Sequence, residues 1–269
     1  MKIYAAQLKL KNCKSLDLFE NYLEEEIFSK INDADLVVFP ENINLCLLFA
    51  KEPKLTLSVR SVFETIFDKF LSLINLSFIL NTQNLKYQKE IILTSFSNLA
   101  KKYNVNVISG SFYEKQEDGI YNVIYAIDRN GQILSHAKKK DLVGLEKALR
   151  IKSKAENTIV QFDFAKVGMC VCFDLNDKEY ISKYDCDVLV APSNGFRPFP
   201  GYPFDFKKET PQIQRAQENS FAVIRPYCAG WLGPLYFQGR TMIVDKIGNI
   251  IGTSNSRNNT ELVFSVISG

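Results

Sequence analysis

The sequence predicts an α/β fold on three observations. Apolar runs with the two-residue alternation of β-strands are separated by stretches with helical periodicity. Two turn signals, at 128–131 and 245–249, predict β-hairpins. No repeat, low-complexity linker or change in composition divides the chain. We therefore expect residues 1–269 to form one α/β domain in which helices cover sheets.

The predicted elements follow from the period of the apolar residues. In the first half, strands are expected at 3–8, 36–39, 105–112, 121–127 and 132–137, with helices near 15–30, 59–79 and 85–102. In the second half, strands are expected at 158–162, 166–172, 187–191, 222–225, 239–245 and 261–266, with helices near 176–183 and 208–220. Strands and helices thus alternate along the whole chain.

The composition argues against several classes of protein. The 269 residues include 33 Lys and Arg and 30 Asp and Glu, so the formal net charge of +3 supplies no strong field for binding nucleic acid. The first ten residues lack the apolar core and cleavage site of a signal peptide, which predicts a cytoplasmic protein. The six cysteines lack the close spacing of a disulfide framework and are interpreted as thiols.

Residues 44–80 are predicted to form an apolar helical arm. Its most apolar part, 62–80, contains Glu64, Asp68 and Lys69, which argues against a transmembrane segment because a spanning helix needs about 20 uncharged residues. Several apolar residues recur with the spacing of one helical face. They are Phe63, Ile66, Phe67, Phe70, Leu71, Ile74 and Phe78. Packing on the body of the protein, a lid, a dimer contact and a membrane-surface contact all stay open for this face.

The sequence contains few residues that could form a histidine-dependent or metal-dependent site. His136 is the only histidine, and the close cysteines Cys170 and Cys172 have one residue between them and no second pair nearby. The sequence also lacks the glycine-rich loops that bind nucleotides. We therefore expect neither a metal ion nor another cofactor.

Cys172 is the candidate nucleophile. It lies at the end of a predicted strand, before a predicted helix whose positive end would lower the pKa of the thiol. The alternative is a small apolar side chain in the core, which is how many free cysteines behave.

Two charged residues would complement such a cysteine. Glu41 comes directly after an apolar strand, and Pro40 ends the ladder before it, so the carboxylate is either solvated or the base that Cys172 needs. Lys139 lies in the basic segment 136–142, which by itself is typical of an exposed charged turn.

These three segments, in this order, resemble the nitrilase superfamily of amidases, carbamoylases, nitrilases and apolipoprotein N-acyltransferases over nearly the whole chain. The acid motif of that family resembles Phe-Pro-Glu41, and its lysine motif resembles the segment from Lys139 to Leu142. The nucleophile motif of the family, a Gly followed four residues later by Cys, an aromatic residue and an acid, resembles the segment from Gly168 to Asp174.

The resemblance implies a four-layer αββα sandwich, a homodimer or higher homo-oligomer, and a cysteine mechanism without a cofactor. It implies that Glu41 takes the proton of Cys172, that the sulfur attacks an amide carbonyl to give a thioester, and that Lys139 and the backbone N–H of Phe173 hold the oxyanion. Residues 142–146 are similar to the acyltransferase branch, which makes Glu146 the candidate second carboxylate.

The implied reaction is hydrolysis of a small amide or carbamoyl substrate; the alternative is a soluble N-acyltransferase that passes the acyl group from Cys172 to an amine. Many amidases of the family have Leu-Arg-Phe-Pro after the nucleophile motif, whereas this chain has Asn176 at the arginine position, which argues against an ω-amidase substrate. Asn194, Phe196 and Trp231 are expected in loops that line an apolar or flat substrate pocket.

Overall fold

A computed structural model describes residues 1–47, 82–197, 200–202, 210–232 and 235–267. The helices are α1 (Leu16–Glu26), α2 (Thr82–Tyr103), α3 (Gly144–Ala148), α4 (Lys178–Ile181) and α5 (Pro211–Asn219). The strands are β1 (Lys2–Lys9), β2 (Leu36–Val38), β3 (Asn106–Gln116), β4 (Gly119–Ile127), β5 (Ile133–Lys138), β6 (Thr158–Gln161), β7 (Lys166–Met169), β8 (Val188–Val190), β9 (Phe196–Arg197), β10 (Ala222–Arg225), β11 (Cys228–Leu232), β12 (Leu235–Phe237), β13 (Met242–Val244), β14 (Ile250–Thr253) and β15 (Glu261–Val266). Short 3₁₀ helices lie at Phe28–Lys30, Ile43–Leu47 and Cys172–Asn176.

These strands form two sheets. The first has the order β5-β4-β3-β2-β1-β11-β12-β9, and β15 also pairs with β1. The second has the order β14-β13-β10-β8-β7-β6. The central strands β1, β2 and β3 are parallel, and so are β7, β8 and β10. Within each group the C-terminal ends of the strands therefore lie at the same edge of the sheet. Residues that follow these strands are therefore brought together at the sheet edges.

Alternating side chains divide the core into three apolar layers. Residues of one face of the first sheet, such as Ile3 and Val38, pack against Val167 and Ile224 of the second sheet. The opposite face of the first sheet packs against α1 and α2, and the opposite face of the second sheet packs against α4 and α5. The order helix, sheet, sheet, helix confirms the predicted αββα sandwich.

Several predicted elements differ from the observed ones. The strand expected at 166–172 ends at Met169, because the chain enters a 3₁₀ helix at Cys172. The helix expected near 176–183 begins only at Lys178, where the Asp177 side chain accepts a hydrogen bond from the N–H of Tyr180 and caps it. Strands β9, β11, β12 and β14 were not predicted, since runs of two to five residues carry little periodicity.

The predicted apolar arm lies outside the described residues except at its start. Residues 44–47 belong to the 3₁₀ helix Ile43–Leu47, which is buried. Within the described ranges, no helix combines the length and apolar character that crossing a membrane requires.

Candidate active site

Cys172 has a left-handed backbone conformation three residues after the end of β7. Its backbone φ is +50°, a conformation that is uncommon for a residue other than glycine and is concentrated at functional sites. The N–H of Cys172 donates to the carbonyl of Pro192 at 2.9 Å, which fixes the turn to the end of β8. Cys170 is buried among the residues under α4 and α5, whereas Cys172 is partly exposed and contacts the layer between the sheets. The turn therefore separates the two thiols.

Asp174 joins the cysteine turn to the segment that follows β5. One carboxylate oxygen accepts from the N–H of Val171 at 2.9 Å. The other accepts from the N–H groups of Lys140 at 3.1 Å and Asp141 at 2.6 Å. Burial raises the pKa of Asp174 to about 7, although these three donors favour its charged form. Asp174 thus holds the nucleophile turn against the residues that flank Lys139.

Glu41 follows β2 and is 1% exposed. Gly110, in a bulge of β3 with φ of +70°, makes room for the backbone that leads to it, because a Cβ atom there would lie 2.0 Å from the carbonyl oxygen of Pro40. The carboxylate oxygen Oε2 accepts from the N–H of Asn194 at 3.1 Å. Glu41 also lies close enough to Cys172 for its charge to raise the pKa of the thiol. The structure therefore brings together two residues that are 131 positions apart in the sequence.

Lys139 lies between two buried carboxylates. Its Nζ is 2.7 Å from Oε1 of Glu41 and 2.8 Å from Oε2 of Glu146, and all three side chains are at most 2% exposed. The Nδ2 of Asn122 donates to Glu41 at 3.1 Å and to Glu146 at 2.9 Å. Lys139 is thus not an exposed turn residue, and the sequence-predicted Glu146 does contact it.

The electrostatics of this cluster keep the lysine charged and the thiol neutral. Burial opposes the charge of Lys139, but the negative charges around it, first of all Glu41, outweigh burial and raise its pKa well above the ordinary value. Burial, followed by the charge of Glu41, raises the pKa of the Cys172 thiol to about 12. The prediction of a lowered thiol pKa was wrong, because desolvation and the charge of Glu41 raise it, and the segment that begins at Cys172 is a five-residue 3₁₀ helix instead of the predicted α-helix.

The sequence analysis assigned no site role to two buried residues near the cluster. Asn122 bridges both carboxylates, as described above, and Tyr113 lies opposite Asn122 in the register of β3 and β4. Burial raises the pKa of Tyr113 well above its usual value, and the charge of Glu146 is the next cause. The only sequence signal for Tyr113 was a polar group at a buried strand position, whereas the segment Tyr121-Asn122 also resembles the family pattern before the hairpin.

The remaining predicted site residues differ in whether they contact the cluster of Glu41, Lys139 and Glu146. Phe173 follows Cys172, and its side chain is 48% exposed. Asn194 contacts Glu41 through its backbone, and its side chain accepts from the N–H of Phe196 at 3.0 Å. Trp231 lines a cavity together with Lys11 and Tyr22. Glu41, Lys139 and Cys172 do not line that cavity, so it does not support the assignment of Trp231 to the substrate pocket.

A buried lysine between two glutamates, beside a cysteine at the end of a strand in an αββα sandwich, is typical of the nitrilase superfamily. The model of the carbon-nitrogen hydrolase family matches residues 5–268. The chain belongs to this family, as the resemblance in the sequence indicated.

Curated relatives share part of their length with this chain. The 2-oxoglutaramate amidase of Bacillus subtilis is 28% identical over 156 residues, which cover 56% of this chain and 58% of the relative. The deaminated glutathione amidase of Dictyostelium discoideum is 30% identical over 191 residues, which cover 61% of each chain. The matched segments thus span less than two thirds of these relatives.

Solved structures with the same fold cover nearly all of the chain. A variant of the amidase from Nesterenkonia sp. AN1, with acrylamide added at its active-site cysteine, has a TM-score of 0.71 and 14% identity, covering 100% of this chain and 93% of the amidase. Saccharomyces cerevisiae Nit3, of branch 10 of the nitrilase superfamily, has a TM-score of 0.69 and 17% identity, with coverages of 98% and 89%. At these identities the likeness establishes the fold alone.

Proposed function

We propose that this protein hydrolyses the carbon–nitrogen bond of a small amide or carbamoyl substrate through a thioester on Cys172. The observation that carries the proposal is the buried ion-paired cluster of Glu41, Lys139 and Glu146, with Cys172 close enough for the charge of Glu41 to raise the pKa of its thiol. Amidases among the relatives and among the structures with this fold support an amide as the substrate.

The first half of the reaction forms the thioester. Because the pKa of Cys172 is raised to about 12, the thiol is neutral at pH 7 and must lose its proton to Glu41 as the sulfur attacks the carbonyl carbon. The carbonyl oxygen becomes an oxyanion, which the charged Lys139 and the backbone N–H of Phe173 would stabilise. The carbon–nitrogen bond then breaks, and Glu41 returns the proton to the leaving amine.

The second half of the reaction cleaves the thioester with water. Glu41, now a carboxylate again, takes a proton from the water as its oxygen attacks the thioester carbon. The carbon–sulfur bond breaks, the sulfur regains the proton, and a carboxylic acid leaves. Glu146 orients Lys139 and the attacking water, since its position beside Nζ is fixed by Asn122 and by the N–H of Val143 at 3.0 Å.

The direct test is ammonia release from a panel of amides and carbamoyl compounds. The Cys172→Ser variant should lose turnover by a factor of about 10³ or more, because the alcohol is a far weaker nucleophile at this site. Cys170→Ser is the matched control, because Cys170 lies two residues away in the core between the second sheet and the helices α4 and α5. This variant should keep its turnover. Equal losses in the two variants would argue against Cys172 as the nucleophile.

An amine added to the same assay tests the N-acyltransferase alternative, because the acyl group would then appear in a new amide instead of a carboxylic acid. The homodimer and the cytoplasmic location stay predictions. Light scattering of the purified protein would measure the number of subunits.

A further inference from the structure

A buried serine hydroxyl without a hydrogen-bond partner lies beside Glu41. Ser111 of β3 is 0% exposed, and its Oγ makes no hydrogen bond to any part of the chain that the structure describes. The backbone of Ser111 forms a parallel β-bridge with that of Glu41. Residues paired in this way project their side chains from the same face of a sheet, on strands about 5 Å apart. The side chains of Ser111 and Glu41 are therefore neighbours.

Ser111 lies on the face of β3 that is turned toward the second sheet. It is paired with Ile124 of β4, which packs in the apolar layer between the two sheets. Phe112, the next residue along the strand, packs on the opposite side, in the layer that contains α1 and α2. Cys172 also contacts the layer between the sheets. Ser111 and the candidate nucleophile thus belong to the same layer of the sandwich.

A second unpaired oxygen lies on the same face of the sheet. Asn122 is paired with Tyr113, two residues after Ser111 on β3, so its side chain is a diagonal neighbour of Ser111. The Nδ2 of Asn122 donates to Glu41 and Glu146, whereas its Oδ1 is buried and, within the described ranges, accepts no hydrogen bond. One hydroxyl and one amide oxygen beside the two carboxylates are therefore left unsatisfied by the folded chain.

An unpaired hydroxyl in the core lowers the stability of the fold. Burying a hydroxyl without a hydrogen bond costs free energy, and an apolar group of similar shape in its place is neutral or stabilising. Ser109 of the same strand is also 0% exposed, but its Oγ donates to the carbonyl of Gly110 at 2.7 Å and accepts from the N–H of Tyr125 at 3.1 Å. Ser109 thus contributes to the fold, whereas Ser111 is suited to a partner that takes part in the reaction.

We infer that Ser111 and Asn122 hold the water that hydrolyses the thioester beside Glu41. This inference rests on the proposed function and adds two residues to its second half. The water donates one hydrogen bond to the carboxylate of Glu41 and one to the Oδ1 of Asn122, and its oxygen accepts one from Ser111, which leaves a lone pair for the attack. The nitrogen of an amide accepts no hydrogen bond, so the hydroxyl donor of Ser111 matches the water better than the leaving group. The proton transfer and the bonds that form and break are those described for the second half of the reaction.

The test compares Ser111→Ala with Ser109→Ala, its matched control on the same strand. Ser111→Ala should leave the midpoint of urea denaturation unchanged or higher, because it removes an unsatisfied hydroxyl. It should lower kcat about 10- to 100-fold, because the water loses its alignment with the thioester carbon. Since only the second half of the reaction is slowed, KM should fall as well. Intact mass of the enzyme quenched in acid during turnover should show a larger fraction of thioester than in the wild type.

The control variant separates a role in the reaction from a role in the fold. Ser109→Ala loses two hydrogen bonds, so it should lower the midpoint of urea denaturation and leave the fraction of thioester as in the wild type. A wild-type kcat in Ser111→Ala, or a lower kcat without additional thioester, would overturn the inference. Equal accumulation of thioester in both variants would also overturn it. A wild-type enzyme that releases ammonia from no amide of the panel would overturn the proposed function, and the inference with it.

Discussion

Removing the lysine from the buried cluster should destabilise the protein strongly. Lys139→Met replaces the ammonium that lies 2.7 Å and 2.8 Å from Glu41 and Glu146 with an apolar group. Both carboxylates are buried and share the donor Asn122, so they are left close together without a compensating charge. Breaking a buried ion pair in this way costs about 3 to 5 kcal/mol of the free energy of unfolding.

The loss should depend on pH in a defined direction. In the wild-type protein the pKa of Lys139 is raised, so its stabilising contribution is complete below the ordinary lysine value and persists throughout the range from about pH 5 to 9. In the variant, a carboxylate that takes up a proton no longer repels its neighbour. The difference between wild type and variant should therefore be largest near pH 8 and smaller near pH 5.

Urea denaturation followed by circular dichroism at the two pH values measures both effects. Lys30→Met is the matched control, because Lys30 forms a 3.1 Å ion pair with Glu26 on the surface, with side chains 53% and 38% exposed. Such a pair contributes about 0 to 1 kcal/mol. Equal losses in Lys139→Met and Lys30→Met, or a loss in Lys139→Met that is the same at pH 5 and pH 8, would refute the buried-cluster account.

Three further changes test other parts of the site. Gly110→Ala should lower the free energy of unfolding by about 1 to 3 kcal/mol, because the φ of Gly110 is +70° and the new Cβ would meet a backbone carbonyl. Gly144 has open space around it, so Gly144→Ala should not lower the free energy of unfolding, and urea denaturation compares the two variants. Asp174→Asn should reduce turnover about tenfold or more, since it weakens the attachment of the nucleophile turn, and a normal rate would contradict that role. Glu41→Gln should lower the pKa of Cys172 below about 12, because the charge of Glu41 is the second largest cause of the raised pKa, after burial. A thiolate absorbance curve against pH with an unchanged midpoint would contradict this prediction.

The sequence predicted that Glu41 lies at a strand end because an apolar run stops just before it, and the parallel pairing of that strand brings its end to a common sheet edge. Lys139 lies in a basic segment after the antiparallel strand β5, and the family resemblance alone indicated its place in the site. The contact between Lys139 and Glu146 was also anticipated, on the resemblance of residues 142–146 to one branch of the family. Local pattern and family resemblance were sufficient for these positions.

Electrostatic properties were less accessible, because they depend on residues that are distant in sequence. The raised pKa of Cys172 results from desolvation and from the charge of Glu41, neither of which the segment around Cys172 encodes. Trp231 was placed by its aromatic character alone, and the cavity that it lines contains none of Glu41, Lys139 and Cys172.

The measurement that tests the central claim most directly is peptide-mapped mass spectrometry of the enzyme quenched in acid during turnover of an amide. The account predicts that the mass of the acyl group appears on the peptide that contains Cys172 and disappears as the substrate is exhausted. It also predicts that the Cys172→Ser variant carries no acyl group on that peptide in the same time. Turnover of the amide with no acyl group on Cys172, or with the acyl group on another residue, would contradict the account.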